Sequence, residues 1–553
     1  MSAGPAAGLN KHLGDKRSRT ALLSSAAMSL PATTESLPFN DLPALLAAHA
    51  RERPDATALV LGEQRLSYAE LDVLADRVAA SLQRDGARPQ EAIAICAGTS
   101  VHYVALFLGA LRAGLAVAPL APGATAAQLV GMALDADAKR FFVDGAVLQA
   151  INEAGIAVPA TLPLTRLDAA DGQAALAPWL LPAPARPVPV TIEPTWAFNL
   201  IYSSGTTGTP KGIVQSHAMR WAHIQRAAMS GYDRDAVTLI TTPLYSNTTL
   251  VSVIPTLANG GRLVLMAKFD AAGYLRTAQA ERVSHTMLVP VQYQRLMARP
   301  DFGQYDLSAF RMKFCTSAPF LAPLKADVLA RWPGGLVEYY GMTEGGGTCI
   351  LQAHLHPGKL HTVGQPAEGH DIRLIDEGGQ EVHEVGAAGE VVGRSAGMMT
   401  GYHKQPAKTA EAEWFDAHGQ RFIRTGDVGR FDAEGFLTLF DRRKDMVISG
   451  GFNIYPSDLE AVLRTHPAVA DAAVVGIPSA EWGETPVAFV VRREAAAETA
   501  DELRAWFNQQ VGKTQRLAGV RLIGELPRSA IGKVLKRELR EAWAADAAGP
   551  PAA

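Results

Sequence analysis

The hydrophobic pattern changes texture along the chain. Between about residues 39 and 176, Ala-rich stretches with apolar positions at helical spacing alternate with short apolar runs such as "AIAICA" and "FFVDG". That alternation predicts βα units around a largely parallel sheet. The run "YVALFLGALRAGLAVAPLAP" is broken by Arg112 and by several Gly and Pro. It predicts a buried helix running into a core strand, not a membrane span. A proline-rich stretch follows, with Pro178, Pro182, Pro184, Pro187, Pro189 and Pro194, and predicts extended, non-helical chain. It leads into "WAFNLIY" (196–202), a predicted strand. More α/β pattern runs from 220 to 333, and short strands and turns from about 363 to 440 predict a β-rich subdomain.

Beyond that point "YPSDLEAVLRTH" predicts a helix, with Pro456 in its first turn and Ser457 as its cap. "DAAVVGIP" and "PVAFVVRR" predict strands, and "TADELRAWFNQQV" and "KVLKRELREAW" predict helices. The fold class is therefore α/β. A large N-terminal domain (38–440) of α/β subdomains with a small β-rich subdomain precedes a small α+β C-terminal domain (441–543). Residues 1–37 are small, basic and Ser/Ala-rich without the apolar core of a signal peptide. They predict a disordered extension, with Met28 as an alternative start, and 544–553 predict a disordered tail.

Composition narrows the function classes. A length of 553 residues exceeds the ~250–300 at which single cores stop growing. The 48% hydrophobic and 19% charged content fits a soluble globular protein. A net charge of −3 disfavours nucleic acid or an anionic membrane surface as the main partner. Cys96, Cys315 and Cys349 are scattered and odd in number, which argues against a disulfide framework or a CxxC metal site and for a reducing, cytoplasmic setting.

The candidate chemistry centres on "YSSGTTGTPKG" (202–212). It fails the P-loop pattern, because Pro210 precedes Lys211 and no hydroxyl residue follows the lysine. Its chemistry still suits a polyphosphate. Gly205, Gly208 and Gly212 allow close backbone approach, successive N–H groups can cradle an anion, and Ser203, Ser204, Thr206, Thr207 and Thr209 add hydroxyl donors.

Four further stretches accompany the loop: "EYYGMTEGGG" (338–347), "RTGDVGRF" (424–431), "DRRKDMVISGGFNIYP" (441–456) and "LPRSAIGKVLKREL" (526–539). In this order and at these separations, the chain from about 40 to 543 resembles the adenylate-forming enzymes. These comprise acyl- and aryl-CoA synthetases, peptide-synthetase adenylation domains and beetle luciferases. The resemblance implies a two-step reaction using ATP, Mg2+ and coenzyme A, in which a carboxylate forms an acyl-adenylate and a thiol then takes the acyl group. It also implies that the C-terminal domain is mobile and turns between the steps.

Roles follow residue by residue from the resemblance. Ser203, Ser204, Gly205, Thr206, Thr207, Gly208 and Lys211 would hold the β- and γ-phosphates. Lys533, Thr343 and Glu344 would be catalytic, with Lys533 offsetting the charge of carboxylate and α-phosphate, Thr343 bonding that phosphate and Glu344 binding Mg2+. Ser317, Ala318, Pro319, Glu338, Tyr339, Tyr340 and Gly341 would surround adenine, and Asp427 would bind the ribose with support from Arg442. Lys444 would be the hinge. Gly450, Gly451, Trp482, Lys513 and Arg516 would serve coenzyme A.

The acid pocket would be built from Tyr245, Ser246, Asn247, Thr316, Tyr339, Gly345, Gly346 and Gly347. The chain departs from the family here, with Thr316 and Tyr339 at positions often Gly and Ser246 where many synthetases have His. Tyr339 and Thr316 would shorten the pocket. A polar wall of Ser246, Asn247, Thr248 and Thr249 would select a short or medium acid bearing a polar substituent. No Asp stands in "PLYSNTTL", which disfavours an α-amino acid. The expected function is an acid–CoA ligase. The alternative is a stand-alone enzyme that loads a non-amino acid onto a carrier protein's phosphopantetheine.

Overall fold

The computed structural model describes residues 38–168, 175–203, 211–442, 445–449, 452–479, 482–494, 496–529 and 532–547. The predicted βα alternation yields two large sheets. A seven-stranded sheet is ordered Gly401–Tyr402, Lys211–Ser216, Ala197–Ser203, Ala116–Pro119, Ala92–Cys96, Ala138–Val143, Leu164–Arg166. Its Ala92–Cys96 strand is buried at every position and parallel to both neighbours, as a strand covered on both faces requires. A nine-stranded sheet carries Val237–Ile240, His285–Leu288, Met312–Cys315 and Gly335–Gly341 as parallel neighbours.

The largest core joins the two sheets. Helices Tyr68–Arg84 and Val101–Arg112 pack with Ile93, Val117 and Phe198 of one sheet and Leu59, Ile240 and Met287 of the other. The first helix starts at a capping box, in which Ser67 and Glu70 satisfy each other's exposed backbone N–H groups. The apolar run 103–122 forms that second helix and then strand Ala116–Pro119.

A five-stranded antiparallel sheet follows, built on Asp371–Ile375, Gly389–Arg394 and the long strand Arg421–Phe431. The C-terminal sheet pairs Val469–Ser479 with Gly483–Arg492, flanked by Gly519–Ile523 and by helices Pro456–Arg464, Ala500–Gln510 and Lys536–Ala547.

Several local expectations are corrected. Pro178 lies in a one-turn helix, Leu176–Trp179. So short an element asks no N–H of that residue, so the ring is tolerated there. The helix at Pro456 is entered from Tyr455, and Ser457 lies inside its first turn. The last helix begins at Lys536 and runs through Ala547, into the segment expected as tail. Strand Leu437–Arg442 passes Asp441 while still paired with Arg421–Phe431, so the β-rich part extends to Arg442.

Candidate active site

The phosphate-loop strand and its partner leave Ser203 opposite Lys211 in antiparallel register. Residues 204–210, with the expected Ser204, Gly205, Thr206, Thr207 and Gly208, lie outside the described residues, as do Lys444, Gly450 and Gly451. Lys211 places its Nζ 4.8 Å from the ring centre of Tyr402. The phenol of that same Tyr402 donates to Glu344 Oε1 at 2.9 Å. One side chain thus joins the base of the loop to the expected metal-binding carboxylate. Burial, with the Glu344 charge adding to it, pushes the Tyr402 phenol far above its ordinary value, so it stays a donor.

Thr343 is fixed by its backbone. Its carbonyl accepts from Gln215 Nε2 at 2.7 Å, and Gln215 Oε1 accepts in turn from Asn199 and from Arg220. On strand Gly335–Gly341, Tyr340 donates to Asp427 Oδ2 at 2.8 Å, and the Asp427 backbone N–H donates to Thr425 Oγ1 at 3.0 Å. Asp427 and Arg442 are cross-strand partners. The expected adenine platform and ribose carboxylate are therefore one hydrogen-bonded unit.

The Lys533 loop is held by a short bridge. The Lys533 N–H donates to Ser529 Oγ at 3.2 Å, and its carbonyl accepts from the Ser529 N–H at 2.8 Å. Gly532 makes this turn at φ +77°, and a Cβ there would stand 3.2 Å from Val291 Cγ1. The loop thus packs against the Val289–Val291 corner of the large domain, beside an exposed Arg295–Glu525 ion pair at 3.5 Å.

The AMP-binding enzyme model covers residues 46–403, and the AMP-binding enzyme C-terminal domain model covers 458–533. The chain belongs to the AMP-binding enzyme family. It is 32% identical over 500 residues to feruloyl-CoA synthase of an Amycolatopsis species, covering 89% of this chain and 96% of that one. It is 31% identical to indoleacetate–CoA ligase of Aromatoleum aromaticum, covering 89% and 96%. ATP-bound MatB from Rhodopseudomonas palustris superposes with a TM-score of 0.81 at 29% identity, covering 91% of this chain and 99% of that one. As a member of this family, the chain is an ATP-dependent, AMP-forming acid–thiol ligase using coenzyme A. Among the described residues no helix is long and apolar enough to cross a membrane.

Within the AMP-binding fold, several expected site residues sit elsewhere than anticipated. Glu338 turns into the core, where it is 5% exposed and ion-paired with Lys325. Strand alternation sends its neighbour Tyr339 to the opposite face. Gly345, Gly346 and Gly347 do not open a pocket on their Cα face. A Cβ would collide with the Gly397 carbonyl at Gly345, with Ile423 at Gly346 and with Ile372 at Gly347. These glycines let the chain lie tightly against the β-rich sheet.

The polar wall is also satisfied internally. Asn247 Oδ1 accepts from Arg220 Nη2 at 3.0 Å, Thr248 Oγ1 lies 2.5 Å from Ser317 Oγ, and Thr249 donates to Thr242 Oγ1 at 2.7 Å. Thr316 donates to the Tyr339 carbonyl at 2.8 Å. Ser246 precedes helix Asn247–Ala258, with no side-chain cap bond. Tyr245 is half-buried. Asn247, Thr248 and Thr249 thus each have a hydrogen-bond partner within the protein. Tyr339 ends an aromatic column, stacked on Phe314 at 5.7 Å, which itself stacks on Tyr232 at 5.8 Å.

Trp482 is 41% exposed at the Gly483 turn, and Lys513 and Arg516 are exposed. Sequence reading missed Tyr402, Gln215 and Arg220. None belongs to a recognised stretch, and each matters through partners distant in the chain.

Proposed function

We propose that the chain activates its acid through the residues gathered here. The Tyr402 bridge between Glu344 and Lys211 supports this most directly, since it sets the metal-binding carboxylate beside the phosphate loop. In the first step an oxygen of the acid's carboxylate attacks the α-phosphorus of ATP, and the bond to pyrophosphate breaks. In the second, the thiol of coenzyme A attacks the acyl carbon of the adenylate, AMP leaves with the electron pair of the cleaved C–O bond, and the thiol proton passes to solvent. Lys533 offsets the two anions brought together in the first step, and Thr343 donates to the α-phosphate.

Tyr340 stacks on adenine beside Ser317, Ala318, Pro319 and Gly341. Asp427, with Arg442, accepts from the ribose hydroxyls, and Ser203 to Gly208 with Lys211 hold the outer phosphates. Mg2+ fits this donor set. Glu344 Oε2 receives no hydrogen bond among the described residues, and Mg2+ is held by one or two carboxylates plus substrate phosphates. Bound there by Glu344, the ion supplies positive charge to the phosphates. The C-terminal domain then pivots at Lys444, bringing Gly450, Gly451 and Trp482 to the thiol's path and Lys513 and Arg516 to the coenzyme's phosphates. The cysteines are free and buried, which supports a cytoplasmic setting.

Pyrophosphate release measured across a panel of acids, with and without coenzyme A, tests this. Acid-dependent release, with thioester only when coenzyme A is present, is expected. Release indifferent to the acid would overturn the scheme. Replacing coenzyme A by a phosphopantetheinylated carrier protein tests the alternative acceptor.

A further inference from the structure

Helix His217–Ala227 follows the strand of Lys211 and carries two cations, Arg220 and Arg226. Arg220, 1% exposed, is held by Asn199, Gln215 and Asn247, and through Gln215 it is tied to Thr343. Arg226 stands six positions further along the same helix, or about 9 Å at helical rise. Its surroundings are different. Among the described residues Arg226 makes one hydrogen bond, Nη1 to His370 Nε2 at 2.6 Å, and no ion pair. Four of its five N–H donors remain.

The neighbours of Arg226 do not supply an acceptor. Because His370 Nε2 accepts from Arg226, its proton sits on Nδ1, which is buried without a hydrogen-bond partner. Burial, reinforced by the Arg226 charge, pulls the His370 imidazole down to about 4, so it is neutral at physiological pH. His223 is held well below its ordinary value by burial first and then by Arg220, Arg226 and His370. The Tyr339 phenol is raised by burial, and the Ser230 hydroxyl and the Arg226 charge oppose that shift. Beyond it, the Tyr232 and Ser252 hydroxyls are buried without hydrogen-bond geometry to any partner.

His223, Arg226, Tyr339 and His370 all keep some accessible surface although burial shifts every one of them. All four are thus partly enclosed and partly open to solvent. The group is rich in donors, and among the described residues no carboxylate pairs with its guanidinium.

We propose that the far end of the acid pocket, formed by Arg226 with His223, Tyr339 and His370, binds a second carboxylate, so that the substrate is a short or medium dicarboxylic acid. This rests on the acid-activating function proposed above. A planar guanidinium with free parallel N–H groups matches a carboxylate in bidentate geometry. Tyr339, stacked on Phe314, lies within the field of Arg226, and the ~9 Å of helical rise from Arg220, tied to Thr343 through Gln215, to Arg226 suits a diacid rather than a long-chain acid.

The test measures kcat/KM for acid-dependent pyrophosphate release. The substrates are short and medium α,ω-dicarboxylic acids, their half-amides and monocarboxylic acids of equal length. Wild type is expected to prefer a diacid over its half-amide by about 10²-fold, because the neutral end leaves Arg226 unpaired. In Arg226→Gln and Arg226→Leu that ratio is expected to collapse towards one, with the change mainly in KM, while thermal unfolding shows whether the variants remain folded. A half-amide or monoacid used as well as the diacid by wild type, which needs no variant, overturns the second-carboxylate site and leaves the ligase function standing. If no acid of any kind elicits pyrophosphate release, the function proposed above falls, and this site falls with it.

Discussion

Thr248 Oγ1 lies 2.5 Å from Ser317 Oγ, and Ser317 holds φ +82° although it is not glycine. The bond ties the N-terminus of helix Asn247–Ala258 to the segment expected beside adenine, at a residue whose backbone is strained by its own Cβ. Ser317→Gly should relieve about 1 kcal/mol of strain while losing a hydrogen bond of similar worth, for little net change. Ser317→Ala loses the same bond, with Thr248 left unpaired as in the glycine variant, but keeps the strain. It should destabilise by about 1–2 kcal/mol in urea unfolding. Equal stability of the two variants would show that the backbone, not the bond, is inert here.

Tyr402 gives a sharper test of the phosphate end. Tyr402→Phe keeps the ring beside Lys211 and removes only the donor to Glu344. A hydrogen bond to a charged acceptor is worth about 1.5–3 kcal/mol, and water regains part of that at a half-buried site. We expect kcat/KM for ATP to fall about 10-fold, with a raised Mg2+ requirement and unchanged discrimination among acids. A change confined to acid preference would detach Tyr402 from the nucleotide end.

What could be read in advance, and what could not, follows from how far apart the partners lie. The strand 196–202, the run into Ala116–Pro119 and the C-terminal helices and strands each declare themselves within ten or twenty residues. Tyr340 and Asp427 stand in separately recognisable stretches, though their hydrogen bond is not visible there. The pairing of Glu338 with Lys325 is not visible in "EYYG", because Lys325 lies thirteen positions away in the chain. The polar wall hides its partners for the same reason. Arg220, Ser317 and Thr242 satisfy it from 27, 69 and 7 positions away. Arg226 and His370 meet across 144 positions, and no local pattern announces such a pair.

The Glu338–Lys325 pair predicts a pH effect. Burial pushes the Glu338 carboxyl up to about 6 from an ordinary 4.5, against the opposing pull of Lys325. The folded chain then binds this proton more tightly than the unfolded chain. The stability it contributes is fully present below pH 4.5 and is lost as pH rises through about 6. In Lys325→Met the opposing charge is gone and the carboxyl rises further. The variant should lose about 3–5 kcal/mol near neutrality, where a buried carboxylate is left unpaired. The loss should shrink towards pH 5, where Glu338 takes up a proton. Urea unfolding of wild type, Lys325→Met and Lys325→Met/Glu338→Gln from pH 5 to 8 checks this. A penalty independent of pH, or one that the second substitution does not reduce, would locate the cost in the bonds Lys325 makes to the Leu360 and Thr362 carbonyls at 2.8 and 3.0 Å.

Lys533 separates the two half-reactions. Its loop packs on the Val289–Val291 corner, fixed by the Ser529 bridge and by Arg528, which donates to the Gly532 carbonyl at 2.7 Å and to Asp471 at 2.6 Å. The bridge and Arg528 brace the loop within the C-terminal domain, and its Gly532 turn meets the large domain at Val289 and Val291. Lys533→Ala should lower acid-dependent pyrophosphate release by about 10²-fold or more, the usual cost of a lost electrostatic contact in the transition state. Supplied with preformed acyl-adenylate and coenzyme A, the same variant should make thioester at close to the wild-type rate, as the proposed pivot at Lys444 would have turned the loop away by then. Weakening the brace tests the same point without touching the lysine. Arg528→Ala removes two anchors and should slow adenylation less than Lys533→Ala does, and again more than thioester formation. Equal losses in both half-reactions for Lys533→Ala would mean that the lysine serves the thiol step too, and the division of labour between two domain positions would have to be abandoned.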